Sequence, residues 1–532
     1  MKFFWLFLLF LIPCLSFSQD LHFIKFSDKS DVEFYYENPT AMLSEKALER
    51  RDKYNISLDF TDIPVDSTYI NEVKSLGIEP IGISKWFNGF FAWLLEEEIQ
   101  ELENLSFIAN IFSFVNHPNA TGKPQKIKKF EIENSTLKTT FNTNFTYTNT
   151  QIEQLNLQVL FEEGFTGEGI TIAVIDNGFY GVNTDEGFAY IRDNNQIKGG
   201  YNFVNNNEDI YTEGTHGTMV LSTIGGYLEE EFIGTAIDAD FYLFTTENNA
   251  YEMPDEEVNW IMAAEKADSL GVDIINTSLG YYEFDDPRYD YTYQDMDGET
   301  TYISRAAQMA SEKGILAVIS AGNAGNQDWH YISAPSDAAG VFSIGAVDFE
   351  NNPASFTSFG PTADGRIKPD VSALGVQAAV LVDNAINFAN GTSFSSPIMA
   401  GAMACLLQAF PEKPLEELKQ KVRKSADLFE NPTDQLGHGI PDFSKIYDDL
   451  LSVDSPILFP EIKVYPNPTA DFLYLQTEEN IKNIQLFSFE GKIIKNYTST
   501  TSLDLKNLPT GKYILKIQLE NGKVGQQQII KK

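Results

Sequence analysis

The chain has 532 residues, of which 43% are hydrophobic, so it holds apolar material for two to four folded units rather than one ordinary domain. Its 76 acidic residues against 38 basic ones give a formal net charge of -38. Because this charge repels phosphate backbones and anionic lipid, we expect no nucleic-acid partner.

The first residues have the composition of an export signal. Lys2 precedes an apolar stretch over residues 3–12, which is too short to span a bilayer. No later stretch reaches the ~18 to 20 uncharged residues that a transmembrane helix requires. We therefore expect a signal peptide over residues 1–18. Its removal leaves Cys405 as the one cysteine, so no intramolecular disulfide is expected.

The next region predicts a small α+β unit over residues 19–116. Helix-like patterns cover residues 44–53 and 67–76, and residues 86–94 form a strand-like run around a turn. Residues 117–150 are rich in Asn, Thr and Lys and have little periodicity. This composition indicates an exposed linker that suits proteolytic cutting.

Residues 151–450 alternate apolar, strand-like runs with amphipathic helical patterns. The strand-like runs show little alternation and cover residues 170–175, 241–245, 272–276, 315–320 and 341–347. This order predicts an α/β fold with a doubly wound, mostly parallel sheet and helices on both faces. In such sheets reactive side chains collect at the carboxyl ends of the strands.

The C-terminal part begins after a second linker. Residues 451–460 contain Ser-Pro and Phe-Pro, which interrupt the helical pattern. Residues 461–532 then show strand-like runs at 484–489 and 513–519, separated by glycine-containing turn signals. We expect a small all-β, sandwich-like module.

Three residues carry the strongest chemical signals. Asp176 follows the first apolar run, His216 lies next to glycines at the start of a helical pattern, and Ser393 lies in Asn-Gly-Thr-Ser-Phe-Ser-Ser-Pro before another apolar run. Each signal alone has a structural explanation, because an Asp often follows a strand, a single His is usually structural, and a serine can cap a buried helix. Pro397 is expected in the first turn of its helix, where a missing N–H costs no hydrogen bond.

In this order the motifs Asp-x-Gly, His-Gly-Thr and Gly-Thr-Ser-x-Ser-x-Pro resemble the subtilisin-like family of serine proteases, the subtilases. The resemblance implies that Ser393 is the nucleophile, His216 the general base and acid, and Asp176 the residue that orients the imidazole. It also implies a serine endopeptidase that hydrolyses proteins or peptides through an acyl-enzyme and requires no cofactor.

Two further segments resemble the family. Asn323, in Ser-Ala-Gly-Asn after a strand-like run, corresponds to an asparagine that donates to the oxyanion. The family's substrate-binding strand, whose free edge pairs with an extended peptide, corresponds to Ser278, Leu279 and Gly280.

The chain also departs from the family's pattern at two positions. Asn177 stands where a small Ser or Thr is usual, and its amide can still form local hydrogen bonds. Tyr281 stands where many relatives keep a glycine, and we expect it to narrow or reshape the specificity pocket.

An acidic insertion, residues 283–300, follows the predicted substrate-binding strand. Its candidate metal ligands are Asp290, Asp295 and Asp297. Calcium prefers hard oxygen ligands on turns. Acidic surface loops are commonly only solvated, so bound calcium and a solvated loop both stay open.

The flanking regions suggest how such a protease is made. Residues 19–116 resemble the family's pro-regions by position and size, which implies an intramolecular chaperone and inhibitor that is cleaved off within residues 117–150. A permanent binding domain is the alternative.

The C-terminal module carries Val-Tyr-Pro-Asn-Pro-Thr at residues 464–469 and Leu-Pro-Thr-Gly-Lys-Tyr at residues 508–513. These motifs resemble the type IX secretion sorting domain of Bacteroidetes. The resemblance implies the type IX secretion machinery as a partner and a secreted or surface-attached protein. The alternative is a small β-sandwich that binds carbohydrate or another partner. For the whole chain, the rival hypothesis is an inactive surface protein that uses the same fold for binding.

Overall fold

The computed structural model describes residues 19–120, 126–127, 147–451, 462–477, 479–488, 492–521 and 524–532. The expected signal peptide and most of the two linkers lie outside these residues. The chain divides into two compact units, Met1–Ser444 and Lys445–Lys532. Across the described residues, no helix combines the length and the apolar character needed to cross a membrane.

The N-terminal region forms a four-stranded antiparallel sheet with the order β2-β3-β1-β4. Its strands are β1 Asp20–Phe26, β2 Gly82–Ser84, β3 Gly89–Leu94 and β4 Ile108–Ser113. Its helices are α1 Val32–Glu37, α2 Glu45–Lys53, α3 Ser67–Ser75 and α4 Glu96–Leu102. The side chains of Ser44 and Asp66 cap α2 and α3, so both predicted helices begin where a capping residue precedes a helical pattern.

The next region is built on a seven-stranded sheet in which every neighbouring pair is parallel. In chain order its strands are β5 Thr171–Asp176, β6 Ile197–Asn202, β9 Asp240–Thr245, β10 Ile274–Thr277, β11 Leu316–Ser320, β12 Phe342–Val347 and β13 Val371–Leu374. Two hairpins stand apart from it, β7 Tyr227–Leu228 with β8 Phe232–Ile233, and β14 Ala378–Val382 with β15 Ala385–Ala389.

The helices that accompany this sheet confirm the predicted α/β class. They are α5 Asn149–Glu153, α6 Gln158–Glu162, α7 Ala189–Asp193, α8 His216–Gly225, α9 Asp255–Leu270, α10 Tyr302–Glu312, α11 Thr392–Ala409, α12 Leu415–Ser425 and α13 Phe443–Leu451. The sheet order is β13-β12-β11-β10-β5-β9-β6, so on one side of β5 the chain passes to the edge strand β6 and returns through β9, and on the other side it runs outward from β10 to β13. The carboxyl ends of these two strands therefore form the switch point where such sheets place their sites.

The N-terminal region packs against α9 through buried charges. Arg50 and Arg51 of α2 are each 3% exposed, and their guanidinium groups lie 2.5 and 3.0 Å from Oδ1 of Asp268. Burial acts to raise the pKa of Asp268, but Lys85, Arg50 and Arg51 outweigh it and hold that pKa below its ordinary value. The same aspartate thus binds two elements of the N-terminal region.

A second carboxylate of α9, that of Glu265, forms hydrogen bonds with the turn between β2 and β3. Glu265 accepts hydrogen bonds from the backbone N–H groups of Lys85, at 2.9 Å, and Trp86, at 3.1 Å, and from the hydroxyl of Ser84. Because these partners all belong to one turn, Glu265 fixes the orientation of the N-terminal sheet on α9.

Within the second unit, the described residues from 462 onward form an all-β module, as predicted for residues 461–532. A three-stranded sheet with the order β16-β17-β20 and a four-stranded sheet with the order β19-β18-β21-β22 share one apolar core. The strands are β16 Lys463–Tyr465, β17 Phe472–Gln476, β18 Ile481–Ser488, β19 Ile493–Thr498, β20 Ser502–Asp504, β21 Gly511–Leu519 and β22 Val524–Lys531. Buried and less buried residues alternate along β21, as expected for a strand with one face on a core.

Candidate active site

The structure brings two of the three predicted catalytic residues, His216 and Ser393, to one cleft and places the third, Asp176, in the protein interior against His216. Asp176 ends β5, His216 begins α8, and Ser393 is the second residue of α11. They are 0%, 5% and 7% exposed, respectively. His216 and Ser393 both line a cleft of about 520 Å³.

The aspartate and the histidine form a short hydrogen bond. Nδ1 of His216 lies 2.7 Å from Oδ1 of Asp176, and a carboxylate oxygen can only accept, so Nδ1 carries the proton. The backbone N–H of Asn177 donates to the same oxygen at 2.8 Å. These two donors fix the carboxylate, and the carboxylate in turn fixes the tautomer and the orientation of the imidazole.

Asn177, a departure from the family's pattern, joins the end of β5 to the start of α8. Its Oδ1 accepts from the backbone N–H of Gly217 at 3.2 Å, and its Nδ2 donates to Oδ1 of Asn249 at 2.9 Å. The turn between them needs glycine at position 178, where φ is +126° and a Cβ would lie 2.0 Å from the carbonyl oxygen of Glu213. The Asn177 side chain therefore links the residue that follows Asp176 to the first turn of the helix that carries His216.

Ser393 is held by an unusual feature of its own helix. Since α11 begins at Thr392, Pro397 lies in the second turn, not in the first turn as the sequence predicts. A proline there has no N–H to donate to the carbonyl of the residue four positions earlier, which is Ser393. The hydroxyl of Ser278 donates to this carbonyl instead, at 2.8 Å.

The amide of Asn323 also has a defined orientation. Its Oδ1 accepts from the backbone N–H of Thr392 at 2.9 Å and lies 3.0 Å from the Thr392 hydroxyl. Because an N–H can only donate, the oxygen must face Thr392, and Nδ2 faces away from it. Asn323 lines the same cleft as Ser393, and its predicted role as an oxyanion donor stays a prediction.

The predicted substrate-binding strand also borders the cleft. Ser278, Leu279 and Gly280 follow β10 and all line it. The hydroxyl of Ser393 donates to the carbonyl of Ser278 at 3.4 Å. Ile127 from the N-terminal region lines the same cleft, so this region extends to the site.

Tyr281, which we expect to narrow or reshape the specificity pocket, is not among the described residues that line the cleft. Its ring is 1% exposed and packs in the core, and its hydroxyl donates to Oε1 of Glu247 at 2.5 Å. Glu247 lines the cleft, and the sequence analysis did not identify it. The contact of Tyr281 with the cleft is therefore indirect, through a carboxylate that it holds by a hydrogen bond.

The three candidate calcium ligands have local hydrogen-bonding roles. Asp290 accepts from the backbone N–H of Phe284, Asp295 from that of Thr292, and Asp297 from those of Glu299 and Thr300. Among the described residues, the acidic groups close enough to share an ion are a different set, Glu247, Glu252 and Glu256.

Comparison with known families matches the three regions separately. A model described as the subtilase family matches residues 167–443, just over half of the chain. A model described as the peptidase S8 propeptide domain of Bacteroidota matches residues 21–130, and one described as a secretion system C-terminal sorting domain matches residues 463–532.

Curated relatives are bacterial proteases. The chain is 29% identical over 296 residues to the serine protease AprX of Bacillus subtilis (strain 168), covering 50% of this chain and 63% of that protein. It is 28% identical over 294 residues to alkaline elastase YaB of Bacillus sp. (strain YaB), covering 54% and 67%. The chain thus spans about two thirds of the length of these relatives. A solved structure of the prenylagaramide maturation protease PagA is 22% identical with a TM-score of 0.44, covering 55% of this chain and 98% of that one.

The hydrogen bond between Ser278 and the Ser393 carbonyl yields a stability prediction. Ser278→Ala leaves that buried carbonyl without its donor and should lower the free energy of unfolding by about 1–3 kcal/mol. Ser395→Ala is the matched control, because the Ser395 hydroxyl bonds only the carbonyl of Thr392 in its own helix. Urea unfolding followed by circular dichroism measures both.

The same substitution in a Pro397→Ala background tests whether the missing N–H of Pro397 is the reason that the Ser393 carbonyl depends on Ser278. Pro397→Ala restores a backbone N–H for the Ser393 carbonyl, so Ser278→Ala should cost much less in that background. An equal cost in both backgrounds would contradict the role given to Ser278.

Proposed function

Because this chain belongs to the subtilase family, we propose that it is a serine endopeptidase whose nucleophile is Ser393. The observation that carries the proposal is the 2.7 Å hydrogen bond between His216 and Asp176, which presents the imidazole to the cleft that Ser393 also lines. A neutral serine hydroxyl is a poor nucleophile at neutral pH, so it needs a base held in this way.

In the proposed reaction, Oγ of Ser393 attacks the carbonyl carbon of the scissile bond and gives its proton to Nε2 of His216. Asp176 stabilises the imidazolium that forms. The oxyanion accepts a hydrogen bond from Nδ2 of Asn323 and lies at the N-terminus of α11, whose partial positive charge favours it. His216 then protonates the leaving amine, and water hydrolyses the acyl-enzyme by the reverse proton path.

The proposal extends to the N-terminal region as an inhibitor. Its match to a propeptide model, its buried ion pairs with α9 and the position of Ile127 in the cleft support a precursor whose own chain blocks the site. We propose cleavage within residues 117–150, which breaks the covalent link between this region and the catalytic region while the buried ion pairs keep the two bound. A permanent binding domain would instead stay covalently attached.

The C-terminal module indicates where the enzyme acts. Its match to a secretion sorting domain points to a secreted or cell-surface protein. We propose that the type IX secretion machinery is its partner during export. Protein or peptide substrates and a mature enzyme with no required cofactor complete the proposal, which places no calcium ion on Asp290, Asp295 and Asp297, because these residues are not among the described acidic groups close enough to share one.

The enzymatic proposal is tested with a fluorescent phosphonate that reacts with activated serines. Mature protein should be labelled, Ser393→Ala should lose all labelling, and Ser395→Ala, a buried serine two residues along the same helix, should keep it. Absence of labelling in the mature wild type would favour the rival hypothesis, an inactive binding protein.

The inhibitor proposal predicts the effect of Asp268→Asn. This change leaves Arg50 and Arg51 without their shared counter-charge, and breaking a buried pair costs about 3–5 kcal/mol, or at least a hundredfold in affinity. After cleavage of the full chain, the wild-type N-terminal region should co-elute with the catalytic region on size-exclusion chromatography, whereas that of Asp268→Asn should dissociate.

The control for this experiment is Asp240→Asn, which breaks a more exposed pair with Lys198 in the catalytic region. It should leave co-elution unchanged. Dissociation of the wild-type region at micromolar concentration, or retention in Asp268→Asn, would contradict the proposed inhibitory contact.

A further inference from the structure

The acidic insertion, residues 283–300, is fixed on the catalytic region by contacts of its own. The hydroxyl of Tyr291 donates to Oε2 of Glu257 in α9 at 2.7 Å. The backbone N–H of Gly298 donates to Oδ2 of Asp337 at 2.7 Å. Both acceptors belong to the catalytic region, so these contacts hold the insertion in place without a contribution from the N-terminal region.

The insertion binds the start of β1 in the N-terminal sheet. Nη1 of Arg288 lies 2.8 Å from Oδ1 of Asp20, and the backbone N–H of Leu21 donates to the hydroxyl oxygen of Tyr289 at 3.3 Å. The Tyr289 side chain is 1% exposed, and its ring packs edge-on against Trp93 of β3 with 5.9 Å between the ring centroids. The insertion therefore buries an aromatic ring against this sheet.

The insertion also binds the chain where it leaves β4. The backbone N–H groups of Asn116 and His117 both donate to the carbonyl of Arg288 at 2.9 Å. Nδ2 of Asn116 donates to the carbonyls of Tyr289, at 2.9 Å, and Asp290, at 3.3 Å. Because β1 and β4 are antiparallel neighbours, the start of β1 and the end of β4 lie at the same end of the sheet. The insertion thus holds the end from which the linker leaves.

A further contact lies along the linker, beside the cleft. The backbone N–H of Ile127 donates to Oδ1 of Asp285 at 2.7 Å, and Ile127 lines the same cleft as Ser393. The backbone N–H of Asp285 donates to the carbonyl of Glu252, another residue of the cleft, at 2.8 Å. The insertion therefore contacts the chain at its exit from β4 and again where it reaches the cleft.

The contact with α9 does not reach the cleft. Asp268 binds Arg50 and Arg51, and Glu265 binds the turn between β2 and β3. None of these residues is among the described residues that line the cleft. The α9 contact can thus retain the N-terminal region, but it does not itself cover Ser393.

We propose that the acidic insertion closes the active site, because it binds the end of the N-terminal sheet from which the linker leaves and directs the linker into the cleft. The inference rests on the proposed inhibitor function and names how that inhibition is regulated. Since the α9 contact keeps the linker at a high effective concentration beside the cleft, a few hydrogen bonds to the insertion are enough to hold it there. Breaking these bonds opens the cleft without releasing the region.

The test uses a double variant that weakens the insertion contacts. Asn116→Asp keeps the size of the side chain but replaces the donor of two hydrogen bonds by an oxygen that only accepts, and Asp285→Ala removes the acceptor of the Ile127 N–H. We place the cleavage after Ile127, because the propeptide match extends to residue 130. After cleavage of the full chain, the complex is isolated by size-exclusion chromatography and reacted with the fluorescent phosphonate.

The wild-type complex should be labelled roughly tenfold more slowly than free mature enzyme, because the linker covers Ser393 for most of the time. The complex of the double variant should be labelled severalfold faster than that of the wild type, and its N-terminal region should still co-elute. The control pair is Asn104→Asp, whose side chain donates to the carbonyl of Gln100 within the N-terminal region, and Glu299→Ala, which removes an exposed carboxylate of the insertion. Both controls should keep the slow labelling.

Hydrogen exchange provides a readout that does not depend on activity. In the uncleaved Ser393→Ala chain, the double variant should exchange faster than its parent in peptides that contain Ile127, while peptides of α2 keep their protection.

The outcomes separate this proposal from the proposed function. Double-variant complexes that are labelled no faster than the wild type, or N-terminal regions that dissociate from the double variant, would overturn the assignment of closure to the insertion. Unchanged exchange at Ile127 would overturn it as well. Free mature wild type that the phosphonate does not label overturns the proposed function, whereas exchange at Ile127 still decides whether the insertion holds the linker.

Discussion

The site depends on one buried contact, the hydrogen bond from His216 to Asp176. A carboxylate that is 0% exposed is costly unless it accepts hydrogen bonds, and here the imidazole Nδ1–H and the Asn177 backbone N–H both donate to its Oδ1. To make the contact, the end of β5 must approach the start of α8 so closely that a Cβ at Gly217 would lie 2.4 Å from the Gly178 carbonyl oxygen. The glycines of both motifs are therefore consequences of this approach.

Ser393, the proposed nucleophile, is positioned by an exchange of hydrogen bonds between two chain segments. Pro397 deprives the Ser393 carbonyl of its helical donor, and Ser278 replaces it. The residue that ties down the nucleophile thus belongs to the segment that borders the substrate cleft. Asn323 is also oriented by a contact with α11. Its Oδ1 accepts from the backbone N–H of Thr392, so its Nδ2 points away from Thr392.

Much of the fold follows from the sequence because the central strands are apolar on both faces and the helices α2 and α3 have capping residues. The sequence analysis missed β6 because Ile-Lys-Gly-Gly-Tyr-Asn is a polar, glycine-rich run, which suits an edge strand but carries no hydrophobic signal. The prediction that Pro397 lies in the first turn of its helix was wrong, because it depended on which residue begins α11. The grouping of Glu247, Glu252 and Glu256 was not predicted, because Glu247 follows β9 and reaches the other two only through the loop that leads to α9.

The central claim is that Asp176 serves the site by fixing the imidazole, and Asp176→Asn tests it most directly, because the amide keeps the size of the side chain and changes its hydrogen bonding. The account predicts that kcat on a fluorogenic peptide falls about 10⁴-fold, as in other triads, while the thermal unfolding midpoint stays close to that of the wild type. A kcat within tenfold of the wild type would contradict it.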